Sequence, residues 1–197
     1  MTIEKGKPWG SPCIVPPSRI VVGSDRDLAR CRAEEQISLT GGDIWKSLGS
    51  PSVPQINAEA TKVFIDALEV EIDNGNHVLA ASSVEVGMIL GLRRYLCLAN
   101  ASFVGKRNVA PRAHPNDGAL DLLEIGAEIS WRQRWAASRR ALTGTHVPHP
   151  HITSRRVREL LIERESSSEI LRIDGMKYST WSSLRVRILP DHWQVLL

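Results

Sequence analysis

A chain of 197 residues is long enough to bury one sizeable core, and 42% hydrophobic with 24% charged residues is an ordinary globular balance. A net charge of +3 with only two Phe and two Tyr gives neither the basic footprint nor the stacking surface of a specific nucleic-acid binder. No apolar run approaches the ~20 residues of a membrane helix, the N-terminus MTIEKGKPWG lacks a leader's apolar core, and Cys13, Cys31 and Cys97 have no metal-ligand spacing, so a cytoplasmic protein with reduced thiols is expected.

Residues 5–18 (KGKPWGSPCIVPPS) carry four prolines and two glycines, which predicts an irregular extended arm anchored by Trp9. Residues 19–23 read as a buried strand, 25–35 as a short helix capped by Ser24, and 36–40 as a second strand, a miniature βαβ pattern. Gly41-Gly42-Asp43 follows, then a helical turn at 44–48 closed by Gly49. From residue 61 the pattern is mainly β. Residues 68–73 alternate apolar and acidic, Asn74-Gly75 is a two-residue hairpin signal, and 77–86 return as a strand. Further strands are predicted at 95–99, 120–125, 157–163, 170–174, 184–189 and 194–197, enough for two packed sheets. Leu184, Val186 and Ile188 should face inward and Arg185 and Arg187 outward.

One segment departs from this pattern. Between Glu128 and Glu159 no acidic residue occurs, while Arg132, Arg134, Arg139, Arg140, Arg155, Arg156 and Arg158 all fall there. Trp131, Trp135, Ser138 and Leu142 lie at helical spacing, which predicts an amphipathic helix over 128–142 that lays its Trp face on the sandwich and turns its arginines outward. Two readings of the arginines stay open: a solvated basic face, or an anion site for phosphate esters or an acidic membrane surface in which Arg132 and Arg139 take part. In THVPHPHI, Pro148 and Pro150 hold the chain extended and set His149 and His151 about 6–7 Å apart on one side. No Cys or acidic neighbour completes a metal shell there, which favours a rigid connector.

Two segments carry a family signal. Residues 110–125, APRAHPNDGALDLLEI, run from a Pro-stiffened turn through Asn116-Asp117-Gly118 into a strand, and 170–175, ILRIDG, form a matching half-motif before the strand LRVRIL. Together they resemble the C-terminal β-sandwich of the diacylglycerol kinase, sphingosine kinase and NAD kinase superfamily, over roughly residues 60 to 197. The resemblance implies an α+β, mainly β fold: a two-layer antiparallel β-sandwich at 59–197 behind an N-terminal arm and reduced α/β segment at 1–58.

It also implies where chemistry would sit. In the superfamily a Gly-Gly-Asp-Gly-Thr loop lets the backbone approach nucleotide phosphates; here Gly41, Gly42 and Asp43 match, but Ile44 and Trp45 obstruct such an approach. An α/β nucleotide domain needs on the order of 100 residues, and only 40 precede Gly41. Bacterial lipid kinases of the superfamily hold a divalent cation, Mg²⁺ or Ca²⁺, on the loop that matches the Asp117 carboxylate and the carbonyls of His114 and Ala119. The family's Asp-Gly-Glu, whose Glu is the general base, is here Asp174-Gly175-Met176; a thioether accepts no proton, which leaves Asp174 as the remaining catalytic candidate. The expectation is therefore a lipid kinase-like pseudoenzyme that binds a phosphorylated lipid or nucleotide near Asp117, Asp174 and the Arg-rich helix, with peripheral membrane contact and as a homodimer. The alternative is a minimal or partner-dependent lipid kinase that uses ATP.

Overall fold

Two long strands carry one sheet from end to end of the molecule. The computed structural model describes residues 3, 6, 8–91, 93–147 and 149–197. In chain order, β1 (Ser11–Ile14), β2 (Ile20–Val22), α1 (Asp25–Leu28), β3 (Gln36–Leu39) and α2 (Asp43–Ser47) lead to the first long strand, β4 (Glu59–Ile72). Next come β5 (Asn76–Ala80), β6 (Ser83–Val86), β7 (Tyr95–Ala99), a small hairpin of β8 (Phe103–Val104) and β9 (Arg107–Asn108), β10 (Leu120–Ile125) and α3 (Trp131–Arg140). Then β11 (Ile152–Val157), β12 (Glu159–Glu163), β13 (Leu171–Ile173) and β14 (Met176–Tyr178) precede the second long strand, β15 (Ser183–Leu196).

β4 and β15 pair antiparallel from Leu184 opposite Ile72 to Leu196 opposite Lys62, with an irregularity between Leu189 and Trp193. Pro190 has no N–H for the ladder, and Asp191 sits at φ 56°, so the two predicted strands at 184–189 and 194–197 are one strand bent at a bulge. One half of this ribbon is flanked by β5 and β12, the other by β1 and, in parallel, by β3 and then β2. The βαβ segment thus shares a seven-stranded sheet with the sandwich. The second sheet runs β11-β10-β7-β6-β13-β14, antiparallel throughout.

Alternation decides which faces meet. Leu68, Val70, Ile72, Leu184 and Val186 are buried against Val84, Val86, Leu98, Leu122 and Leu171 of the second sheet. On the outer side of the ribbon Arg187 pairs with Glu69, and Arg185 lies 3.7 Å from Glu71, cross-strand ion pairs exposed to water. The fold is the mainly β, two-layer antiparallel sandwich with a small α/β segment that the motifs implied.

Two predicted strands each divide between the sheets. Residues 77–86 become β5 in the first sheet and β6 in the second; 157–163 become the end of β11 in the second and β12 in the first. A period-2 pattern survives such a crossing, because both inner faces require alternate apolar residues. The predicted helix over 25–35 shortens to the single turn α1, capped by Ser24, whose hydroxyl accepts the Asp27 N–H at 3.2 Å. Leu28 is its one buried apolar side chain, too little packing to hold a longer helix. Among the described residues no helix is long and apolar enough to cross a membrane.

Trp193, on the second half of β15, packs the α/β segment onto the long ribbon. It is fully buried among Val22, Leu28, Ile37, Ile44, Ile65 and Val195, and its Nε1–H donates to the Cys31 carbonyl at 3.0 Å. Trp193→Ala should therefore cost about 3–5 kcal/mol in urea denaturation. A loss below about 1 kcal/mol, the level of a surface change, would show that the α/β segment is not integral to the fold.

Candidate functional site

The half-motif at the chain's end builds a tight hairpin. Asp174 and Gly175 take φ of 45° and 76°, the left-handed pair of a two-residue turn, between β13 and β14. The turn sends the Asp174 carboxylate inward. It accepts the Ala81 N–H at 2.7 Å, the Ser82 N–H and hydroxyl at 2.8 Å each, and the Ser83 N–H at 3.1 Å. Burial raises its pKa and these donors oppose the rise. Met176 faces the other way, 41% exposed, with its sulfur accepting from Arg26 Nη1 at 3.4 Å. Around them Arg26, Arg30, Val78, Leu79, Met176 and Tyr178 line a cleft of about 220 Å³ that reaches Asp174.

Gly41-Gly42-Asp43 forms the turn from β3 into α2. The Asp25 carboxylate occupies the N-terminus of α2, accepting the Asp43 N–H at 2.6 Å and the Ile44 N–H at 3.0 Å. Both glycines are required by close approach: a Cβ on Gly41 would collide with the Gly23 carbonyl, and one on Gly42, at φ 98°, would come within 2.5 Å of Asp25 Oδ1. Asp43 itself turns outward, to Lys46 Nζ at 2.8 Å and the Gly105 N–H at 2.7 Å. The N–H groups that would cradle a phosphate here already hold an internal carboxylate. Burial, partly opposed by those two N–H donors, lifts Asp25 to a pKa of about 6.

The Pro-Asn-Asp-Gly loop is organised by Asp66 on β4, a residue with no exposed surface. Its carboxylate accepts from Gly118 N at 2.8 Å, Asp191 N at 2.9 Å and Asn116 Nδ2 at 3.2 Å. Asn116 also donates to Asp191 Oδ1 at 2.9 Å and receives Trp9 Nε1–H at 3.1 Å, which pins the N-terminal arm; Trp9 packs edge-on against His114. Asp117 is held by its neighbours: Oδ1 accepts the Ala119 N–H at 3.1 Å and Oδ2 lies 2.5 Å from Arg156 Nη2. The His114 carbonyl accepts the Asp117 N–H at 3.2 Å. In this arrangement Arg156 is the cation beside Asp117, and among the described residues no group of three His, Cys, Asp or Glu is placed to hold a metal.

The basic helix is turned the other way round from the expected one. Ser130 and Gln133 form a capping box at its start. Its buried face is Arg134, Ala137 and Ser138, with Ile129 before it and Ala141 after; Trp131, Trp135 and Leu142 are exposed. Small residues let α3 lie close over Tyr95, Cys97, Leu123 and Ile125 on the outer face of the second sheet, where an indole would not fit. The buried Arg134 guanidinium donates to the carbonyls of Arg93 at 2.5 Å and Gly126 at 2.6 Å. Arg132 and Arg139 lie over the rings of Trp131 and Trp135. They belong to a different face from Asp174, which approaches β5 and α1, so the one cleft that the motifs suggested is divided. His149 and His151 stand 5.9 Å apart by ring centroid, and His149 Nδ1 accepts the His151 N–H; Pro148, part of the extended connector predicted there, lies outside the described residues. A second cleft of about 550 Å³ opens beside this connector, lined by Arg112, Asp121, His149 and Ser154 over Val109 and Ile152.

Sequence reasoning missed Asp25, Asp66 and Asn100. Asp66 had a signal, a lone acid inside the apolar run KVFIDAL, which in a strand must be buried and therefore hydrogen-bonded. Asp25 looked like an ordinary first-turn acid, and Asn100 like the end of a strand.

The sequence pattern of the YegS C-terminal NAD kinase beta sandwich-like domain matches residues 68–197. No curated protein sequence matches the chain. Among solved structures, a candidate diacylglycerol kinase from Bacillus anthracis str. Sterne superposes with a TM-score of 0.62 at 13% identity, covering 90% of this chain and 76% of that one. A diacylglycerol kinase structure from the same organism gives 0.59 at 14% identity, covering 90% and 75%.

Two outcomes test the carboxylates. Asp174→Ala, which leaves three backbone N–H groups at the Ala81–Ser83 corner without their acceptor, should cost about 3 kcal/mol in chemical denaturation. Asp25 carries a sign that can be read with pH. Its raised pKa means the folded state binds the proton more tightly, so stability falls as pH rises from the usual carboxylate value of 3.8 to about 6, by about 3 kcal/mol in full. The stability of the wild type minus that of Asp25→Asn should drop by that amount over this window; a constant difference would show that Asp25 is not desolvated.

Proposed function

The chain belongs to the YegS C-terminal NAD kinase beta sandwich-like family, within the diacylglycerol kinase and NAD kinase superfamily, and on that footing we propose that it is a catalytically incomplete lipid kinase-like protein that binds a phosphorylated lipid or nucleotide. The observation that carries this reading is the Asp174–Met176 hairpin. The carboxylate next to the missing general base has four hydrogen-bond donors on it, and the side chain at the base position is a thioether turned toward Arg26. The thioether accepts no proton from an acceptor hydroxyl, and the Asp174 oxygens are turned to the Ala81–Ser83 corner instead of to a substrate. The Asp25 carboxylate on α2 adds to this, since it repels a phosphate from the loop that would position it.

The cleft that remains suits an anion at its mouth. Arg26 on α1 and Arg30 just after it line the cleft with Val78, Leu79 and Ile173, so a phosphate could meet guanidinium while an apolar part lies on the strands. Three free cysteines support a cytoplasmic setting. One observation keeps the second reading, a partner-dependent kinase: β2 is the edge of a parallel pair, the place where another chain's α/β sheet could continue.

Radiolabelled ATP with diacylglycerol, a sphingoid base or NAD should give no transfer, since loss of a general base alone costs about 10²–10⁴-fold. Turnover that disappears in Asp43→Ala would overturn the reading. A thermal-shift series with phosphorylated glycerides and nucleotides should raise the melting temperature of the wild type and not of the Arg26→Glu, Arg30→Glu double variant.

A further inference from the structure

We propose that the outward face of α3 seats the protein on an anionic phospholipid surface. Trp131 and Trp135, one turn apart on α3, are 59% and 49% exposed, and Leu142, just past the helix's C-cap, is 51% exposed. Large apolar side chains exposed together at one helix and its end mark a surface that is covered in use. The adjoining turn before β7, tied to α3 through the Arg93 carbonyl on Arg134, exposes Met88 and Leu90 as well.

Charge identifies the occupant. The Arg132 guanidinium stands 5.8 Å from the Trp131 ring centroid and that of Arg139 5.0 Å from Trp135, so positive charge lies over the indoles. Arg140 is exposed on the same helix, no acidic residue occurs between 129 and 158, and among the described residues none of these three arginines has a carboxylate partner. Indoles that sit at headgroup depth, with arginines on phosphates beside them, are the arrangement by which a helix lies in a bilayer interface without crossing it. A neutral protein surface would leave those guanidiniums desolvated and unpaired; a phosphate layer satisfies them. The buried face of small residues explains why the indoles point out: the sheet takes the opposite side of the helix. This surface is separate from the Asp174 cleft, so its test is independent of the function proposed above.

Vesicle co-sedimentation of the full chain decides it, with phosphatidylcholine alone and with phosphatidylglycerol added. Binding is expected only with the anionic lipid, weakened at high salt, and reduced at least about tenfold in Arg132→Glu, Arg139→Glu, where two charges are reversed at the surface. Trp131→Ser, Trp135→Ser should weaken it on both sides of the salt range, and an unchanged melting temperature in both variants shows that the fold is intact. No binding to anionic vesicles, equal binding to the neutral ones, or variants that bind like the wild type would each overturn the proposal. So would light scattering that shows a dimer dissociated by Trp131→Asp, which would assign this face to a second copy of the chain.

Discussion

Between Ala80 and Ser83 the chain leaves one sheet for the other, and the backbone N–H groups freed by that crossing converge on the Asp174 carboxylate. A sandwich corner is where ladder hydrogen bonds stop, so its donors need another acceptor or they are buried without one. Asp174 comes from a hairpin on the second sheet, and its hold on the corner sets how β13 lies beside β6 and therefore how the two inner faces oppose each other. The neighbouring carbonyl, that of Ala81, is taken by Asn100 Nδ2, which also binds the Asp66 carbonyl on β4. The corner is thus linked to the middle of the long ribbon.

The same device recurs at three places. Asp25 closes the N-terminus of α2, Asp66 gathers the Pro-Asn-Asp-Gly loop with Asn116 and the backbone of Asp191, and Asp174 holds the corner. Each carboxylate is desolvated, and two or more N–H donors offset part of that cost, although burial still raises each pKa. The lone pairs of these acids are taken up by donors within the fold, and Asp25 occupies the N–H groups at the start of α2.

Positive charge is distributed differently. Arg164 and Arg94 are consumed in binding carbonyls and Glu169 inside the structure, and Arg156 neutralises Asp117. Those on α1 and on the outer face of α3 stand toward solvent, on two separate surfaces. One surface frames a small cleft beside Met176, and the other carries Trp131 and Trp135.

Local physics decided much before any tertiary contact. Alternation at 68–72 and 184–188, the Asn-Gly and Asp-Gly turns, the Ser24 and Ser130 caps and the βαβ order are properties of short segments, legible because each depends on neighbours within a few residues. The two family motifs were legible for the same reason. What the sequence could not show depends on which face meets which. Alternation is blind to a strand that changes sheets, so the crossings at Ala81–Ser82 and Arg158 were invisible. Helical spacing located α3 but not its buried side, because that choice rested on whether the second sheet had room for indoles or only for Ala137 and Ser138. The roles of Asp25, Asp66 and Asp174 were settled by donors 18, 52 and 93 residues away in the chain, partners that only the folded arrangement brings within reach.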